Sequence, residues 1–327
     1  MKRITALLAA IVLLPFLPAA AAKAGAVTPV TIHGLTLSGL QDYLPRAAAF
    51  SPDTALAVSS MQQLKDQIHA AKASWHANGV RLQVEQDKLV GQNGRAYSRA
   101  YMADVESAVD YGLSLGLYVV INCQTEPAAG FTANEPLPTY ATKAFWARIG
   151  QVYGNRDHVY FDIFNEPRDR GWPRWQRSMQ SVINSIRHHG YDNVIWVDGI
   201  ELGNSLDLAS KYLLHGGTIV YTIHHPYGPH DAAAWDKDFG YLRAKGIPVA
   251  VGEWTNFANG YHWADAPTSV PLFLSYLQRR NIGFTAWTLM PGCLNSTNDY
   301  SSVTNLGPHW PEPGQGAGQL IRDWFEK

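Results

Sequence analysis

Two glutamates stand near the ends of apolar, strand-like runs. Residues 161–167 read FDIFNEP and contain Glu166, and residues 249–254 read VAVGEW and contain Glu253. A buried strand that stops at a carboxylate holds that group at the rim of a sheet, so two such strands can aim two carboxylates at one point. Such a pair is the minimum machinery for hydrolysing a glycosidic bond: one group protonates the leaving oxygen, and the other attacks the sugar or activates water.

The rest of the chain alternates apolar runs with amphipathic stretches, which predicts eight strands and eight helices. Nearly continuous apolar strands are typical of parallel sheets that are buried on both faces. An open doubly wound sheet would show a G-x-G-x-x-G turn after its first strand, and residues 33–39 lack it. The expected fold is therefore α/β, a single-domain (β/α)8 TIM barrel. The expected strands are 31–37, 79–84, 117–123, 159–165, 193–198, 218–224, 248–253 and 282–288, and the expected helices are 61–77, 101–115, 141–153, 172–189, 205–214, 232–245, 270–281 and 315–325.

The unusual polar and aromatic residues fall mostly at the C-terminal ends of these predicted strands. In barrel enzymes the chemistry lies at that end of the barrel. Polar residues scattered through a core would not collect at one pole, so their placement favours the barrel. The residues are Arg81, Asn122, Gln124, Asn165, Glu166, His225, Tyr227, Glu253 and Trp287.

Several short motifs occur together in one order. Asn165-Glu166-Pro167 alone is a weak match, but it stands with Arg81, His225-Pro226-Tyr227, Gly252-Glu253-Trp254 and Trp287. In this combination the chain resembles glycoside hydrolase family 5, the retaining cellulase-type enzymes of the large (β/α)8 clan. The resemblance covers the predicted barrel and rests on its strand ends.

The resemblance implies a role for each glutamate. Glu166 is expected to be the general acid/base, and Glu253 the nucleophile of a double displacement. A nearby anion raises the pKa of a carboxyl group, so ionised Glu253 would help to keep Glu166 protonated. No cofactor and no metal are implied.

Arg81 and Trp287 each have a functional and a structural interpretation. A charge inside an apolar strand is costly unless it is paired. By resemblance the partner of Arg81 is the nucleophile carboxylate, and the alternative is a structural salt bridge elsewhere. Trp287 is expected to form an aromatic floor under the reacting sugar, and the alternative is packing within the barrel.

The remaining contacts to substrate also follow from the resemblance. Asn165 is expected to bind the sugar 2-hydroxyl, a contact that strengthens in the transition state. Tyr227 is expected to hydrogen-bond the nucleophile, and His225 to lie near the reacting sugar. His224 precedes His225 and would point to the opposite side of the strand, so it is interpreted as structural.

One strand end departs from the family pattern. Members often read Asp-x-His at the end of the third strand, where this chain has Asn122-Cys123-Gln124. The amides of Asn122 and Gln124 can bind a sugar but carry no charge at mild pH. The catalytic pair is unaffected, but selectivity for the sugar stays open, and the family is a safer assignment than cellulase activity.

The first 24 residues are predicted to be a secretory signal peptide, with residues 25–327 as the catalytic domain. A basic start at Lys2 and Arg3 precedes an apolar core, and residues 22–24 form a small-x-small cleavage site. A membrane anchor is the rival interpretation, and Pro15 and Pro18 argue against it. The expected location is extracellular, with the periplasm as an alternative.

Charge and cysteine content narrow the class of partner. The formal charge is −1, charged residues make up 16% and aromatic residues 12%, which excludes a nucleic-acid or membrane footprint and suits uncharged sugars. A polysaccharide or oligosaccharide substrate and a monomeric protein are expected.

Cys123 and Cys293 either form a disulfide or remain buried thiols. Asn295 begins a glycosylation sequon, which matters only in a eukaryotic host.

The leading functional hypothesis is a secreted retaining glycosidase of endo-β-1,4-glucanase type. A mannanase, another β-glycanase or a transglycosylase would use the same site. A non-enzymatic sugar-binding barrel is the hypothesis from another class, and the presence of both glutamates argues against it. A metal-dependent barrel hydrolase would need a His-x-His pair at the first strand, where only His33 stands.

Overall fold

Eight parallel strands close into a barrel in a computed structural model that describes residues 28–40, 58, 60–91, 97–125, 135–224, 231–254, 257–258, 261–262, 266–290, 294–295, 297, 299–303 and 317–327. The barrel strands are β1 (His33–Leu37), β2 (Gly79–Glu85), β3 (Tyr118–Gln124), β4 (Val159–Asp162), β5 (Ile195–Asp198), β6 (Ile219–His224), β7 (Val249–Trp254) and β10 (Gly283–Ala286). Their spatial order is β1, β10, β7, β6, β5, β4, β3, β2, and β1 pairs with β2 to close the ring. The predicted (β/α)8 barrel is confirmed.

Helices surround the barrel. The side chains of Ser60, Ser98 and Thr139 accept hydrogen bonds from the first turns of α1, α3 and α4, and such caps explain why these helices begin where they do. The helices are α1 (Met61–Ala73), α2 (Gln86–Val90), α3 (Arg99–Ser114), α4 (Tyr140–Tyr153), α5 (Trp172–His188), α6 (Ala232–Trp235), α7 (Tyr241–Ala244), α8 (Ala266–Arg280) and α9 (Ala317–Phe325).

Sequence reasoning located most of these helices and misread one. The helix expected over residues 205–214 is wrong: the segment contains only a 3-10 turn at Ala209–Lys211. Its short polar side chains bind nearby main chain instead, as in the contacts of Asn204 with Glu201 and of Ser205 with Asp207. Such local bonds compete with helix formation.

Two small elements were not foreseen. Helix α2 follows β2 directly, and a two-stranded antiparallel hairpin, β8 (Phe257–Ala258) with β9 (Tyr261–His262), follows β7. The helix expected over residues 232–245 is present as α6 and α7 joined by a π-turn at Asp236–Gly240.

The inside of the barrel is apolar at one end and polar at the other. An apolar cluster fills the N-terminal half with Ile32, Val120, Tyr160, Val194, Trp196, Val220 and Ala250. Strand residues alternate between the two faces, so the next inward positions along each strand lie nearer the C-terminal end. These positions are polar and almost completely buried: Thr36, Arg81, Gln83, Asn122, Asp162, Asp198, Thr222, His224 and Thr285. A larger apolar cluster packs the outward faces of the strands against the helices.

Cys123 is a free thiol in the structure, buried in β3, with its Sγ atom 3.4 Å from Gln86 Oε1. Cys293 lies outside the described residues. Asn295 of the predicted sequon is completely buried, so its amide is not accessible for glycosylation. Within the parts of the chain that are described, no helix is long and apolar enough to cross a membrane, and residues 1–24 lie outside them.

The Cys123 thiol is expected to be unreactive in the folded protein. Burial, together with the carboxylates of Asp162, Asp87 and Glu85, raises the pKa of Cys123 well above its ordinary value. The thiolate is the reactive form, so iodoacetamide should not alkylate Cys123 until the chain is denatured. Mass spectrometry of tryptic peptides, labelled before and after denaturation, measures this. Rapid labelling of the native protein would show that β3 is open to solvent.

Candidate active site

Glu166 and Glu253 approach each other at the C-terminal end of the barrel. Glu253 belongs to β7, and Glu166 follows the end of β4 by four residues. A carboxylate oxygen of each residue and a ring nitrogen of His224 all lie within 4.8 Å of one another. Retaining glycosidases hold their two carboxyl groups about 5–5.5 Å apart, and inverting ones about 6.5–9.5 Å.

Arg81 connects three residues of this site. Its Nε atom donates to Asp162 Oδ2 at 2.7 Å, Nη1 donates to Glu253 Oε1, and Nη2 donates to Asn165 Oδ1 at 2.8 Å. Burial alone lowers the pKa of Arg81, but the neighbouring carboxylates, first Asp162 and then Glu253, raise it above its ordinary value. The guanidinium therefore stays charged and pairs with Glu253, the partner that the sequence predicted.

Gln83 is a second donor to Glu253 that sequence reasoning missed. Its Nε2 atom lies 3.1 Å from Glu253 Oε1, the same oxygen that Arg81 binds. Two donors on one oxygen hold the Glu253 carboxylate in a fixed orientation. The signal was present in the sequence, because Gln83 stands two residues after Arg81 in β2 and must share its face.

His224, interpreted from the sequence as structural, lies within the site, so that interpretation is wrong. Its Nδ1 atom is 3.1 Å from Glu166 Oε1, and its Nε2 atom is 3.1 Å from Asp198 Oδ1. The inward residues of β6 are Val220, Thr222 and His224, since Val220 belongs to the apolar cluster inside the barrel. The alternation of residues along β6 was predicted correctly, but the inward face was assigned to His225 instead of His224. His225 and Tyr227 lie outside the described residues, and their roles stay predictions.

Asp198, at the end of β5, was also missed. Its Oδ2 atom accepts the main-chain N–H of Glu166 at 3.0 Å, and its Oδ1 atom accepts the hydroxyl of Thr222. Glu166 has a φ of +47°, a left-handed conformation that non-glycine residues seldom adopt. The bond to Asp198 helps to hold this main chain.

Asp162 and Asp198 face each other inside the barrel and titrate differently. Burial, and then the charge of Asp198, raise the pKa of Asp162 to about 7. Burial also acts on Asp198, but the charge of His224 and its contact with Asp198 lower the pKa of Asp198 below its ordinary value. The negative charge of the pair therefore resides mainly on Asp198, beside His224.

Asn122 and Gln124 are buried more deeply than their predicted role suggests. Asn122 is 0% exposed and lies in register with Gln83 and Asp162, and its amide has no hydrogen-bond partner among the described residues. Gln124 is 1% exposed. Their predicted contact with the sugar stays a prediction.

Trp287 and Asn165 have positions that suit their predicted roles. Trp287 directly follows β10, is half-buried, and donates its main-chain N–H to Trp254 O at 2.8 Å. Asn165 donates its main-chain N–H to Cys123 O at 3.0 Å, and its Oδ1 atom is taken by Arg81. The Nδ2 group of Asn165 is thus the part of the amide that would donate to a sugar hydroxyl.

Glu166, His224 and Glu253 also present the donor types that bind divalent metals. Each already has an ionic or hydrogen-bonded partner, however. Glu253 pairs with Arg81, and both nitrogens of His224 face carboxylates. The guanidinium of Arg81 beside Glu253 would repel a dication, so the arrangement favours acid–base and nucleophilic chemistry over metal binding.

A family model described as Cellulase (glycosyl hydrolase family 5) matches residues 48–292. The chain belongs to glycosyl hydrolase family 5. This match spans β2 to β10 with every described member of the site, and it confirms the resemblance seen in the strand-end motifs.

Curated relatives of the family-5 chain are bacterial endoglucanases and cellulases. It is 25% identical over 271 residues to an endoglucanase of Clostridium saccharobutylicum, which covers 80% of this chain and 53% of the relative. It is 25% identical over 223 residues to endoglucanase Z of Dickeya dadantii, covering 68% and 50% respectively. The chain thus spans about half the length of these curated relatives.

Solved structures share the fold of this family-5 barrel. The catalytic domain of Thermobifida fusca endoglucanase Cel5A superposes with a TM-score of 0.68 at 18% identity, covering 91% of this chain and 92% of that one. A β-mannanase from Streptomyces thermolilacinus, solved with mannohexaose, gives 0.64 at 18% identity, with 92% and 91% covered. At this identity the likeness establishes the barrel alone.

Proposed function

We propose that this chain is a secreted retaining β-glycanase of endo-β-1,4-glucanase type, with Glu166 as acid/base and Glu253 as nucleophile. The observation that carries the proposal is the approach of the two carboxylates, whose oxygens lie within 4.8 Å. An approach of two carboxylate oxygens to within this distance suits direct attack by one carboxylate, as in the retaining enzymes with their shorter carboxyl separation.

In the first step Glu253 attacks the anomeric carbon while Glu166 protonates the leaving oxygen. The bond from the anomeric carbon to the glycosidic oxygen breaks, and a bond to Glu253 forms. Arg81 and Gln83 both bind Oε1 of Glu253, so we expect Oε2 to be the attacking atom. Asn165 is expected to donate to the sugar 2-hydroxyl in the transition state.

In the second step Glu166, now ionised, takes a proton from water. The water oxygen bonds to the anomeric carbon, the bond to Glu253 breaks, and Glu166 regains the proton that it donated in the first step. Two displacements at one carbon retain the configuration. A sugar hydroxyl in place of water would give transglycosylation at the same site.

The class of substrate is proposed from the relatives. The curated relatives are named as endoglucanases and cellulases, and a β-glucanase from Saccharophagus degradans of similar fold was solved with cellotetraose. Mannan is the second candidate, because the mannohexaose-bound mannanase shares the fold and because amides replace charged residues at the end of β3. Residues 1–24 are proposed as the export signal.

Purified protein is expected to shorten a soluble β-1,4-glucan and to release oligosaccharides in the β configuration, because retention follows from two displacements. A panel of β-glucan, mannan, xylan and galactan, with products followed by reducing ends and early-time NMR, measures both substrate and stereochemistry. Initial release of the α-anomer would contradict the retaining assignment. No release from any polysaccharide or aryl glycoside would leave the non-enzymatic sugar-binding barrel as the better proposal.

Activity is also expected to survive prolonged treatment with EDTA, because the proposed mechanism uses only side chains and the positive charge of Arg81 beside Glu253 disfavours a dication. Rates before and after chelation, with and without added Zn²⁺ or Mg²⁺, measure this. Loss of activity that either ion restores would argue for a metal held by Glu166, His224 and Glu253.

A further inference from the structure

Asp198 reaches Glu166 by two independent routes. Its Oδ2 atom accepts the main-chain N–H of Glu166 at 3.0 Å. Its Oδ1 atom lies 3.1 Å from His224 Nε2, and the other ring nitrogen of His224 lies 3.1 Å from Glu166 Oε1. One buried carboxylate on β5 therefore contacts both the main chain of Glu166 and the ring that contacts its side chain.

The ring of His224 is enclosed on several sides. A Cβ atom at Gly252 would lie 2.7 Å from His224 Nε2, and one at Gly203 would lie 3.0 Å from His224 Cβ. The main-chain N–H of His224 also donates to Gly203 O at 2.8 Å. Glycine at both places leaves the space that the ring occupies between Asp198 and Glu166.

The position of hydrogens on His224 follows from its neighbours. Asp198, as a carboxylate, can only accept, and two acceptors would repel each other at 3.1 Å, so Nε2 carries a hydrogen. Nδ1 then either donates to Glu166 Oε1, in an imidazolium, or accepts a proton from that oxygen, in a neutral ring.

The surrounding charges favour the imidazolium. Burial alone lowers the pKa of His224, but Asp198 and Glu253 raise it well above its ordinary value. The other charged groups at this level are Arg81 and Asp162, which bind each other at 2.7 Å. Glu253 Oε2 lies 3.9 Å from His224 Nδ1.

We propose that Asp198 is a positioning residue for Glu166: it holds the main chain of Glu166 and, through His224, makes Oε1 of that side chain an acceptor, so that the catalytic proton is carried on Oε2. This inference rests on the proposed function, since it assigns atoms within the same reaction. His224 keeps both of its ring hydrogens throughout.

With the proton on Oε2 of Glu166, protons and bonds balance in both steps of the reaction. Oε2 of Glu166 gives its proton to the glycosidic oxygen as the bond to the leaving group breaks and the bond to Glu253 forms. Oε2 then takes a proton from water as the water oxygen bonds to the anomeric carbon and Glu253 leaves. Oε1 accepts from His224 Nδ1 in both half-reactions, so no proton has to migrate between the two oxygens.

The first test is structural and needs no substrate. Long-range ¹H–¹⁵N NMR of the ¹⁵N-histidine-labelled chain, with His224 assigned by its absence in His224→Gln, reports the protonation of both ring nitrogens. We expect two protonated nitrogens at pH 7. A neutral ring with only Nε2 protonated would overturn the proposal, because the shared proton would then come from Glu166 Oε1. Because NMR does not depend on turnover, it separates this inference from the proposed function.

The second test compares two buried aspartates by the same change. Asp198→Asn removes the anion 3.1 Å from His224 Nε2, while Asp162→Asn removes a carboxylate that binds Arg81 and acts on His224 through its charge. We expect Asp198→Asn to lower kcat by about 10- to 100-fold on substrates with poor leaving groups, which need the acid. We expect it to affect the glycosylation step little with a dinitrophenyl glycoside. Asp162→Asn should lower both rates alike, because it acts on the nucleophile side.

The pH profile of Asp198→Asn should shift in a direction that a purely structural role of Asp198 would not produce. Without Asp198 the pKa of His224 falls, so Glu166 loses a cation that favoured its ionised form. The pKa of Glu166 then rises, and the alkaline limb of kcat/KM moves up by about one pH unit in Asp198→Asn and by less in Asp162→Asn, whose carboxylate pairs with Arg81. An unmoved limb together with equal losses on both leaving groups would overturn the proposal. The double variant Asp198→Asn/His224→Gln should lose little more than the worse single variant.

Discussion

Glu253→Gly is expected to lose more than about 10⁴-fold in hydrolysis, because no covalent glycosyl-enzyme can form without the carboxylate. The change leaves open space on one face of the sugar, next to Arg81 and Gln83. Azide is a small anion that fits such a space and can attack the anomeric carbon there. Added azide should therefore restore turnover and yield the glycosyl azide with inverted configuration, which NMR of the product identifies.

Glu253→Gln is the matched control for this rescue. The amide removes the nucleophile but fills the same volume, so azide should not restore its activity. Circular dichroism of both variants checks that the barrel is intact, since Arg81 retains Asp162 and Asn165 as partners. A glycosyl azide of retained configuration from Glu253→Gly would assign Glu253 as the acid/base instead.

The barrel was predictable because its strands are buried on both faces. Such strands appear in the sequence as continuous apolar runs, and all eight were found within a few residues of their observed bounds. Helices α1, α3 and α4 were found where an apolar stripe coincides with a capping side chain. The helix prediction for residues 205–214 failed because apolar residues such as Leu206 are buried from irregular main chain rather than from a helix.

The approach of Glu166 to Glu253 and the pairing of Arg81 with Glu253 were also predictable. A charged residue inside an apolar strand needs a partner, and Arg81 pairs with Asp162 and Glu253 inside the barrel. Asp198 could have been found by the rule that identified the glutamates, since it too ends an apolar strand. Asp198 was not predicted as a site residue because it belongs to none of the strand-end motifs.

The position of His224 opposite Glu253 could not be predicted from the sequence alone. The alternation along β6 is regular, but the register between β6 and β7 shifts between Ile223 and His224, and this shift brings His224 opposite Glu253. A shift of register changes which residues meet across two strands without changing any pattern in either strand. The left-handed main chain of Glu166 also has no signal in the local sequence, because the side chain that binds its N–H group, Asp198, belongs to another strand.

Glu166→Ala is expected to separate the two half-reactions. A substrate with a poor leaving group needs the acid, so its hydrolysis should fall by about 10²- to 10⁴-fold. A dinitrophenyl glycoside needs no acid in the first step, so it should still glycosylate Glu253 and release a rapid burst of dinitrophenol. Turnover should then stall, because no base activates water. Stopped-flow absorbance measures the burst, and mass spectrometry detects the trapped glycosyl-enzyme.

Azide again distinguishes the roles, with the opposite stereochemical result. In Glu166→Ala azide occupies the space of the acid/base and attacks the covalent intermediate, so the product should be a glycosyl azide of retained configuration. Glu166→Gln, which fills that space, is the control and should show the burst without the rescue. Because azide needs no general base, rescued turnover should also lose the acid limb that deprotonation of Glu166 gives to the wild-type deglycosylation step. A burst that is absent while azide still restores turnover with inversion would exchange the assignments of Glu166 and Glu253.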